Sequence, residues 1–389
     1  MSAVRESISP SRLSVARTIV MYLAVVPWYR TECVRMVNSK FAGGVKIFAA
    51  SYALDETVRT GIPRDRYTEV SRRQILGGRL LATGLATDAV WADECIVDLN
   101  PRSLSAWLIL VVRRVRRARV IVWGHLYPRA GAGASTAGLR RLMRRLADGV
   151  ITYDYDGAAA ARAEIPSQPV WTAPNALYKA DDMTFVPTAD RTAFVYIGRL
   201  VVEKKVDQLI PAFAASGVWR RGCTLEIVGG GDRVDILHKQ FDALEDVVKQ
   251  SVFLRGSITD TGDIRQIYSR SLCAVSPGYV GLSATQSLSF GVPMLYSQNE
   301  PHAPEIELTS TGAMKSYDDG TVDGLARAMD EVVDSAVSIT DDSRTAVVDY
   351  MREFYSAEAM AGGIINALSN LPHLPESAPG GRVIEWFDE

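Results

Sequence analysis

The sequence predicts an α/β protein with two Rossmann-like domains, each built on a parallel sheet. Short apolar runs alternate with longer helix-like stretches along the chain, which is the pattern of parallel sheets. Each run is continuously apolar rather than alternating with polar residues, as expected of strands covered on both faces. The length of 389 residues accommodates two domains of ordinary size.

The expected strands divide into two sets. Those of the first half span residues 18–26, 45–49, 95–98, 120–123 and 149–152. Those of the second half span residues 193–197, 224–228, 251–254, 273–275 and 293–296. Helices are expected at 206–215, 232–249, 264–271, 283–290, 340–355 and 357–371. Residues 173–191 lack periodicity and contain Pro174, so they are expected to link the halves.

These patterns predict an N-terminal domain at 1–178 and a C-terminal domain at 179–340. Helices at 341–371 and a Pro/Gly-rich tail at 372–389 complete the chain. Hydrophobic residues make up 47% and charged residues 23% of the chain, and the net charge is -2, which is ordinary for a soluble globular protein. The four cysteines are scattered, which argues against a disulfide framework or zinc site and fits a reducing cytoplasm.

Two glycine-containing loops follow expected strands in the second half. Gly198-Arg199-Leu200 follows the run 193–197, with Glu203-Lys204 shortly after it, and Gly229-Gly230-Gly231 follows the run 224–228. Ligands of α/β proteins bind at this carboxyl edge of the sheet. Arg199 and Lys204 are candidates to hold a diphosphate, since paired cations stabilise its charge. The alternatives are solvated loop charges and a simple turn with a helix cap.

A third glycine-containing loop leads into an expected helix, which is followed by residues that end a helix. The segment 276–293 contains Gly278 and Gly281-Leu282-Ser283, then a helix-like stretch, then Gly291-Val292-Pro293. A helix that starts at 282–283 would present backbone N–H groups to a phosphate. An ordinary connection between two strands is the alternative.

These three loops, in this order, resemble glycosyltransferase family 4, whose members have the GT-B fold of two Rossmann-like domains facing across a cleft. The resemblance covers residues 170–333 well and the first half in outline. It implies that Arg199 and Lys204 act on the donor diphosphate, beside Gly198 and Gly230. It further places Leu254 near the nucleotide base, and the backbone of Gly281, Leu282 and Ser283 at the β-phosphate. It also implies that the helices at 341–371 cross back to the N-terminal domain.

One departure from the family concerns its pair of glutamates, which stand eight positions apart around the third loop. Here those positions hold Gly278 and Gln286. Gln286 can still bond ribose hydroxyls through its amide, but Gly278 has no side chain. Glu305 is another carboxylate that could approach the donor sugar, and a surface position is equally compatible with the sequence.

In the first half, Trp123-Gly124-His125 ends the run 120–123. It resembles the family's histidine at the end of an N-domain strand, which points at the transferred sugar, and His125 is therefore a catalytic candidate. A structural histidine is the alternative. Family members often carry a glycine loop after the first strand, but Val26-Pro27-Trp28-Tyr29-Arg30 stands there instead. Those side chains could bind an acceptor sugar or pack at a domain surface.

An arginine-rich segment distinguishes the first half. Residues 101–150 contain eleven arginines and one acid, Asp148. In the helix-like stretch 139–146, leucines and Met143 fall on one face and arginines on the other. We expect the apolar face to pack on the sheet and the arginines to be solvated, leaving a positive surface available to anionic lipid or a polyprenyl-diphosphate acceptor.

The sequence thus predicts a glycosyltransferase with a UDP- or GDP-sugar donor and a glycan or lipid-linked acceptor. The resemblance implies a retaining reaction without metal, and Asp154-Tyr155-Asp156 is not expected to bind one. The expected location is the cytoplasm or the inner face of the membrane, and nucleic acid is not an expected partner because no recognition fold is evident. The rival functions are a non-catalytic partner of the same fold and a sugar-nucleotide epimerase.

Overall fold

Parallel strands form one sheet in each half of the chain. The computed structural model describes residues 17–52, 59–77, 80–84, 86–128, 131, 133–188, 191–335, 339–372 and 383–386. Most of the tail expected at 372–389 therefore lies outside the described residues.

The N-terminal sheet has the strand order β3-β2-β1-β6-β7-β8-β9, with every neighbouring pair parallel. Its strands are β1 Ile19–Leu23, β2 Val45–Ala49, β3 Thr68–Glu69, β6 Glu94–Asp98, β7 Val120–Trp123, β8 Gly149–Thr152 and β9 Val170–Thr172. A separate antiparallel hairpin consists of β4 (Arg72–Ile75) and β5 (Leu80–Thr83). The helices are α1 Thr31–Lys40, α2 Thr87–Trp91, α3 Leu104–Arg116, α4 Ala137–Leu146 and α5 Tyr155–Glu164.

The C-terminal sheet has the order β12-β11-β10-β13-β14-β15 and is also parallel. Its strands are β10 Ala193–Ile197, β11 Thr224–Val228, β12 Val252–Gly256, β13 Ser271–Ser276, β14 Met294–Ser297 and β15 Met314–Tyr317. Its helices are α6 Leu209–Ser216, α7 Val234–Asp242, α8 Asp246–Lys249, α9 Thr261–Ser269, α10 Leu282–Ser289 and α11 Val322–Ser335. Two further helices follow, α12 Asp341–Phe354 and α13 Ala357–Ser369.

The predicted class, two parallel α/β domains, is confirmed. The helix predicted at 232–249 is wrong in one respect, because it divides into α7 and α8 around residues 243–245. The helix predicted at 264–271 ends at Ser269, since Ser271 already begins β13. In both sheets the strand order reverses beside the first strand, between β1 and β6 and between β10 and β13. Ligands of open parallel sheets bind at the carboxyl side of such points.

Helix α13 returns to the N-terminal domain. It packs against α1 and β9, and its buried side chains belong to the same apolar core as β1 and β2. Gly363 allows the close approach, because a Cβ there would lie 1.9 Å from the carbonyl oxygen of Thr172. At the C-terminal end of α13, the Arg119 guanidinium donates to the carbonyls of Ala367 (2.7 Å) and Leu368 (3.4 Å). A cation is stabilising there because it meets the negative end of the helix dipole.

Several arginines of the arginine-rich segment are buried, so the expectation that they are solvated is wrong for them. Arg113 is 0% exposed and donates to the carbonyls of Ala89 (3.1 Å) and Ala92 (2.9 Å), at the end of α2. Arg144 is 1% exposed and donates to Glu164 at 2.7 Å. A guanidinium with several fixed donors can be buried where backbone carbonyls or a carboxylate accept from it.

The two adjacent glycines of α13 give a matched test of this docking. We expect Gly363→Ala to lower the free energy of unfolding by at least about 2 kcal/mol, because the new methyl group overlaps a backbone oxygen. Gly362→Ala is the control, since nothing lies within 4 Å of its Cβ position, and it should stabilise the helix by about 0.5–1 kcal/mol. Urea unfolding of both variants measures the difference, and equal effects would contradict the close approach.

Candidate functional site

The two glycine loops of the C-terminal domain pack against each other through their backbones. Leu200 N–H donates to the Gly230 carbonyl at 2.9 Å. A Cβ at Gly229 would lie 1.8 Å from the Gly198 carbonyl oxygen, and one at Gly231 would lie 2.2 Å from that of Leu200. These two glycines therefore serve loop–loop packing. Gly230 is exposed and has room for a side chain, since its nearest neighbour would be Ser257 Cβ at 3.9 Å.

The two predicted phosphate-binding cations occupy different settings on the β10–α6 loop. Arg199 is exposed, and its carbonyl accepts from the Tyr196 hydroxyl at 2.7 Å. Lys204 ends a 3₁₀ turn, Val202–Lys204, and is half-buried. Its Nζ donates to the carbonyl of Tyr279 at 2.5 Å and lies 4.5 Å from the centre of that ring. The ammonium of Lys204 is thus held against the loop that precedes α10.

Gly278 is the contact point between these two loops. A Cβ at this position would lie 2.4 Å from the Glu203 carbonyl oxygen and 2.6 Å from the Lys204 carbonyl carbon. The next residue, Tyr279, donates its N–H to the Glu203 carbonyl at 3.0 Å. The turn that carries Lys204 therefore lies where a glutamate side chain at residue 278 would start. This explains the glycine that departs from the family pattern.

Helix α10 starts beside the same loop. Gly281 precedes it, and Leu282 and Ser283 supply its first N–H groups, which have no partners within the helix. Within the described ranges, no group hydrogen-bonds the buried Ser283 hydroxyl. Gln286, one turn further, donates from Nε2 to the Tyr178 hydroxyl at 2.8 Å, so its amide contacts the segment that links the domains. Leu254 is half-buried on the edge strand β12, two residues before the end of that strand.

Glu305 is buried at the boundary between the domains, so the surface position considered for it is wrong. It is 4% exposed, and its Oε1 accepts from Asn175 Nδ2 at 3.2 Å. The Asn175 Oδ1 in turn accepts from Arg30 at 3.0 Å. Burial raises the pKa of Glu305, while the bond from Asn175 and the charges of Lys204 and Arg30 oppose the rise. Asn175 thus links Glu305, in the C-terminal half, to Arg30 on the loop after β1.

Arg30 was not among the predicted site residues, although its loop was noted. Its guanidinium lies over the rings of Trp123 (4.5 Å) and Tyr153 (5.0 Å), and the residue is 6% exposed. The sequence left two roles open for this loop, binding an acceptor sugar and packing at a domain surface, and Arg30 itself packs at the domain boundary. Neighbouring Trp28 is different, because it is 60% exposed. A buried cation among aromatic faces is stabilised by cation–π attraction, which a single sequence cannot reveal because the partners lie on distant strands.

His125 lies at the carboxyl end of β7. Its side chain is exposed, and its ring centre lies 4.7 Å from that of Tyr153. The backbone there is fixed, because a Cβ at Gly124 would lie 3.0 Å from Leu99 Cβ and the His125 carbonyl accepts from Arg140 at 2.8 Å. His125 is therefore not a buried core histidine, and it stands at the sheet edge where α/β proteins bind ligands.

A second carboxylate, Glu307, joins the domains. Its Oε2 accepts from the backbone N–H groups of Tyr155 (2.8 Å) and Asp156 (3.0 Å), at the start of α5. Burial, followed by the nearby charge of Asp154, raises the pKa of Glu307 to about 8. Asp154 caps α5 by accepting from Gly157 N–H. Within the described ranges, no cluster of three or more His, Cys, Asp or Glu side chains is arranged to hold a metal ion.

A match to a known protein family covers much of the second half of the chain. Residues 185–354 match the family model described as group 1 glycosyl transferases. No curated protein matches the chain significantly by sequence. The range that does match contains Arg199, Lys204 and α10.

Similar solved structures cover nearly the whole chain. HepE from Anabaena, in complex with UDP, is 15% identical with a TM-score of 0.63, over 91% of this chain and 100% of its own. The lipopolysaccharide outer core galactosyltransferase WaaB is 14% identical with a TM-score of 0.60, over 91% and 99%. A sucrose-phosphate synthase from Thermosynechococcus elongatus is 15% identical with a TM-score of 0.56, over 91% and 99%. The fold is therefore GT-B, as predicted.

The contact at Gly278 predicts a difference between two loop glycines. Gly278→Ala should lower the free energy of unfolding by about 1–3 kcal/mol, because the turn at 203–204 must move away. Gly230→Ala has room for its methyl group and should leave stability within about 0.5 kcal/mol of the parent protein. Urea unfolding is the measurement. A Gly278→Ala variant as stable as Gly230→Ala would show that the two loops are not in contact.

Glu307 predicts a pH dependence of stability. Its pKa in the folded protein, about 8, lies above the ordinary value of 4.5, so the folded state binds the extra proton between these values. Its contribution to stability is therefore complete below the lower value and is lost as pH rises through the higher one. The free energy of unfolding of Glu307→Gln, relative to the parent, should increase between about pH 5 and about pH 8. Denaturant titrations across this interval with parallel profiles would contradict the prediction.

Proposed function

We propose that this protein is a glycosyltransferase that uses a UDP- or GDP-sugar donor. The observation that carries the proposal is the placement of two cations and a helix start around one loop. Lys204 contacts Tyr279, Gly278 packs on the Lys204 turn, and α10 begins three residues after Tyr279. A diphosphate would meet positive charge from Arg199 and Lys204 and N–H groups from α10. The family match over this range and the UDP complex of HepE support the proposal.

In the proposed reaction, the bond between the anomeric carbon and the β-phosphate oxygen breaks, and a bond to an acceptor hydroxyl oxygen forms. The acceptor's proton leaves with the nucleoside diphosphate. Arg199 and Lys204 stabilise the negative charge that develops on that diphosphate. The Lys204 ammonium has three N–H donors, one of which bonds the Tyr279 carbonyl. His125, at the opposing sheet edge, bonds a hydroxyl of the transferred sugar.

The finer features extend the proposal. We propose retention of anomeric configuration, and transfer without a metal because the two cations replace its charge. Leu254 would face the nucleotide base, and Gln286 would bond the ribose by exchanging Tyr178 for a ribose hydroxyl. The acceptor would be a glycan or a polyprenyl-diphosphate-linked glycan bound by the N-terminal domain, in polysaccharide or glycoconjugate assembly. We place this work in the cytoplasm or at the inner face of the membrane.

One observation favours a second candidate, a non-catalytic partner of the same fold. Gly278 offers no carboxylate, and the amide of Gln286 is bonded to Tyr178. A protein of this kind would bind a sugar nucleotide or glycan without transferring sugar. Thermal stabilisation by a panel of UDP- and GDP-sugars separates binding from turnover, because a ligand of the folded state raises its apparent stability. Stabilisation without turnover of any acceptor would favour this candidate.

Substitution of the two cations tests the transferase. Arg199→Ala and Lys204→Ala should each lower turnover of the sugar nucleotide by about 100-fold or more, the usual cost of removing a group that stabilises developing charge. Arg220→Ala is the control, since Arg220 is exposed in the 3₁₀ turn Val218–Arg221, which leads into β11 rather than the cleft. Release of the nucleoside diphosphate is the readout. Turnover unchanged by both substitutions would remove the proposed donor site.

A further inference from the structure

Helix α3 has apolar side chains on both of its faces, and only one face is covered. Ala106, Ile109 and Leu110 are at most 1% exposed against the sheet. On the outer face, the side chains at i, i+4, i+7 and i+11 are exposed by 39–79%: Leu104, Leu108, Val111 and Val115. A surface helix normally carries polar residues there. Packing in the core of the N-terminal domain therefore accounts for the apolar residues on one face of α3 but not for those on the other.

The exposed apolar surface continues onto both neighbouring helices, which pack against α3. Of the fifteen large apolar side chains that are exposed in the described part of the chain, seven lie on these three helices. The three besides those of α3 are Trp91 (68%) of α2, and Leu139 (45%) and Leu142 (46%) of α4. The expectation that the apolar face of α4 packs on the sheet is therefore wrong for Leu139 and Leu142, whereas Met143 (0% exposed) and Leu146 do pack in the core of the domain. We call these seven side chains the outer apolar face.

On α3 and α4 the charges are of one sign, and the acid of α2, Asp88, is paired with Lys46. Neither α3 nor α4 contains an acidic residue. Arg114, Arg117 and Arg145 are exposed beside it. Arg116 lies 3.8 Å from the centre of the Trp91 ring and donates to the Val90 carbonyl, which holds the indole at the rim. Apolar side chains rimmed by arginine and tryptophan match the boundary between lipid headgroups and acyl chains.

We infer that the outer apolar face docks this protein on an anionic lipid bilayer. The seven side chains enter the headgroup boundary, and the arginines contact lipid phosphates. Leu104 and Val115 are separated by eleven residues of helix, or about 17 Å, so α3 lies along the membrane plane. Within the described residues, no helix is both long enough and apolar enough to cross a bilayer.

A second copy of the chain fits this face less well. A symmetric dimer through α3 and α4 would bring arginines of one copy against arginines of the other, and like charges across an interface are unfavourable. Lipid phosphates instead neutralise them. The inference does not require sugar transfer, so the two proposals can fail separately.

Vesicle flotation of the full chain tests the inference. The protein should float with vesicles of phosphatidylcholine containing about 30% phosphatidylglycerol, and not with phosphatidylcholine alone. Binding should weaken when sodium chloride is raised from about 20 mM to about 500 mM, because salt screens the arginine contacts. Absence of flotation with the anionic vesicles at low salt would overturn the proposal.

Two pairs of variants assign the surface. Leu108→Ser with Val111→Ser should reduce the bound fraction at least about tenfold by removing inserted apolar area. Val186→Ser with Val247→Ser is the matched control, since these side chains are 42% and 50% exposed outside the outer apolar face, and it should bind normally. Arg114→Glu with Arg145→Glu should also abolish flotation, whereas Arg220→Glu with Lys239→Glu, at exposed positions of the C-terminal domain, should not.

The exposed positions make unfolding of these variants unexpected, and circular dichroism checks it. Light scattering of the same proteins measures their oligomeric state and so tests whether a second copy of the chain occupies this face. A dimer that Leu108→Ser with Val111→Ser dissociates, in a protein that binds no vesicles, would overturn the proposal in favour of self-association. Wild-type flotation by the α3 variant would overturn it as well.

Discussion

The candidate site in the C-terminal domain depends on a backbone contact that leaves no room for a side chain. The turn at Glu203–Lys204 lies directly on Gly278, and that contact sets where the Lys204 ammonium meets the loop before α10. A carboxylate at residue 278 and this position of the lysine exclude each other. The chain therefore keeps the cation close to the helix start, where an anion is attracted by both. In the proposed transferase, groups other than residue 278, such as Glu305 and His125, would contact the sugar.

The sequence predicted the central strands well, because continuous apolar runs such as 193–197 report burial on both faces. It did not predict β9 and β15, which have three and four residues, or the hairpin β4–β5, whose strand β4 is mostly arginine and glutamine. These strands are too short or too polar for a hydrophobic pattern to identify them. The loops that the sequence singled out contact one another in the structure, since Leu200 bonds Gly230 and Lys204 bonds Tyr279. The reason for a glycine at residue 278 became visible only in the structure, because the backbone that would clash with a side chain there comes from a distant part of the chain.

The arginine-rich segment shows how composition can mislead about exposure. Arg113, Arg119 and Arg144 share the segment with exposed arginines, yet they bond backbone carbonyls or carboxylates inside the domain. Leucines of α4 that a helical wheel assigns to the core are instead exposed. Hydrophobic periodicity identifies a face but not what covers it. Glu305 gives the opposite case, because a residue that composition places on the surface is held inside by Asn175.

The return of α13 has a consequence for how the chain reaches its native state. Met360, Ile364 and Leu368 belong to the same apolar core as β1 and α1, although more than three hundred residues separate them. During synthesis the N-terminal domain emerges first, but its core lacks the side chains of α13 until residues 357–369 have been made. The N-terminal core is therefore complete only once α13 has docked against α1 and β9.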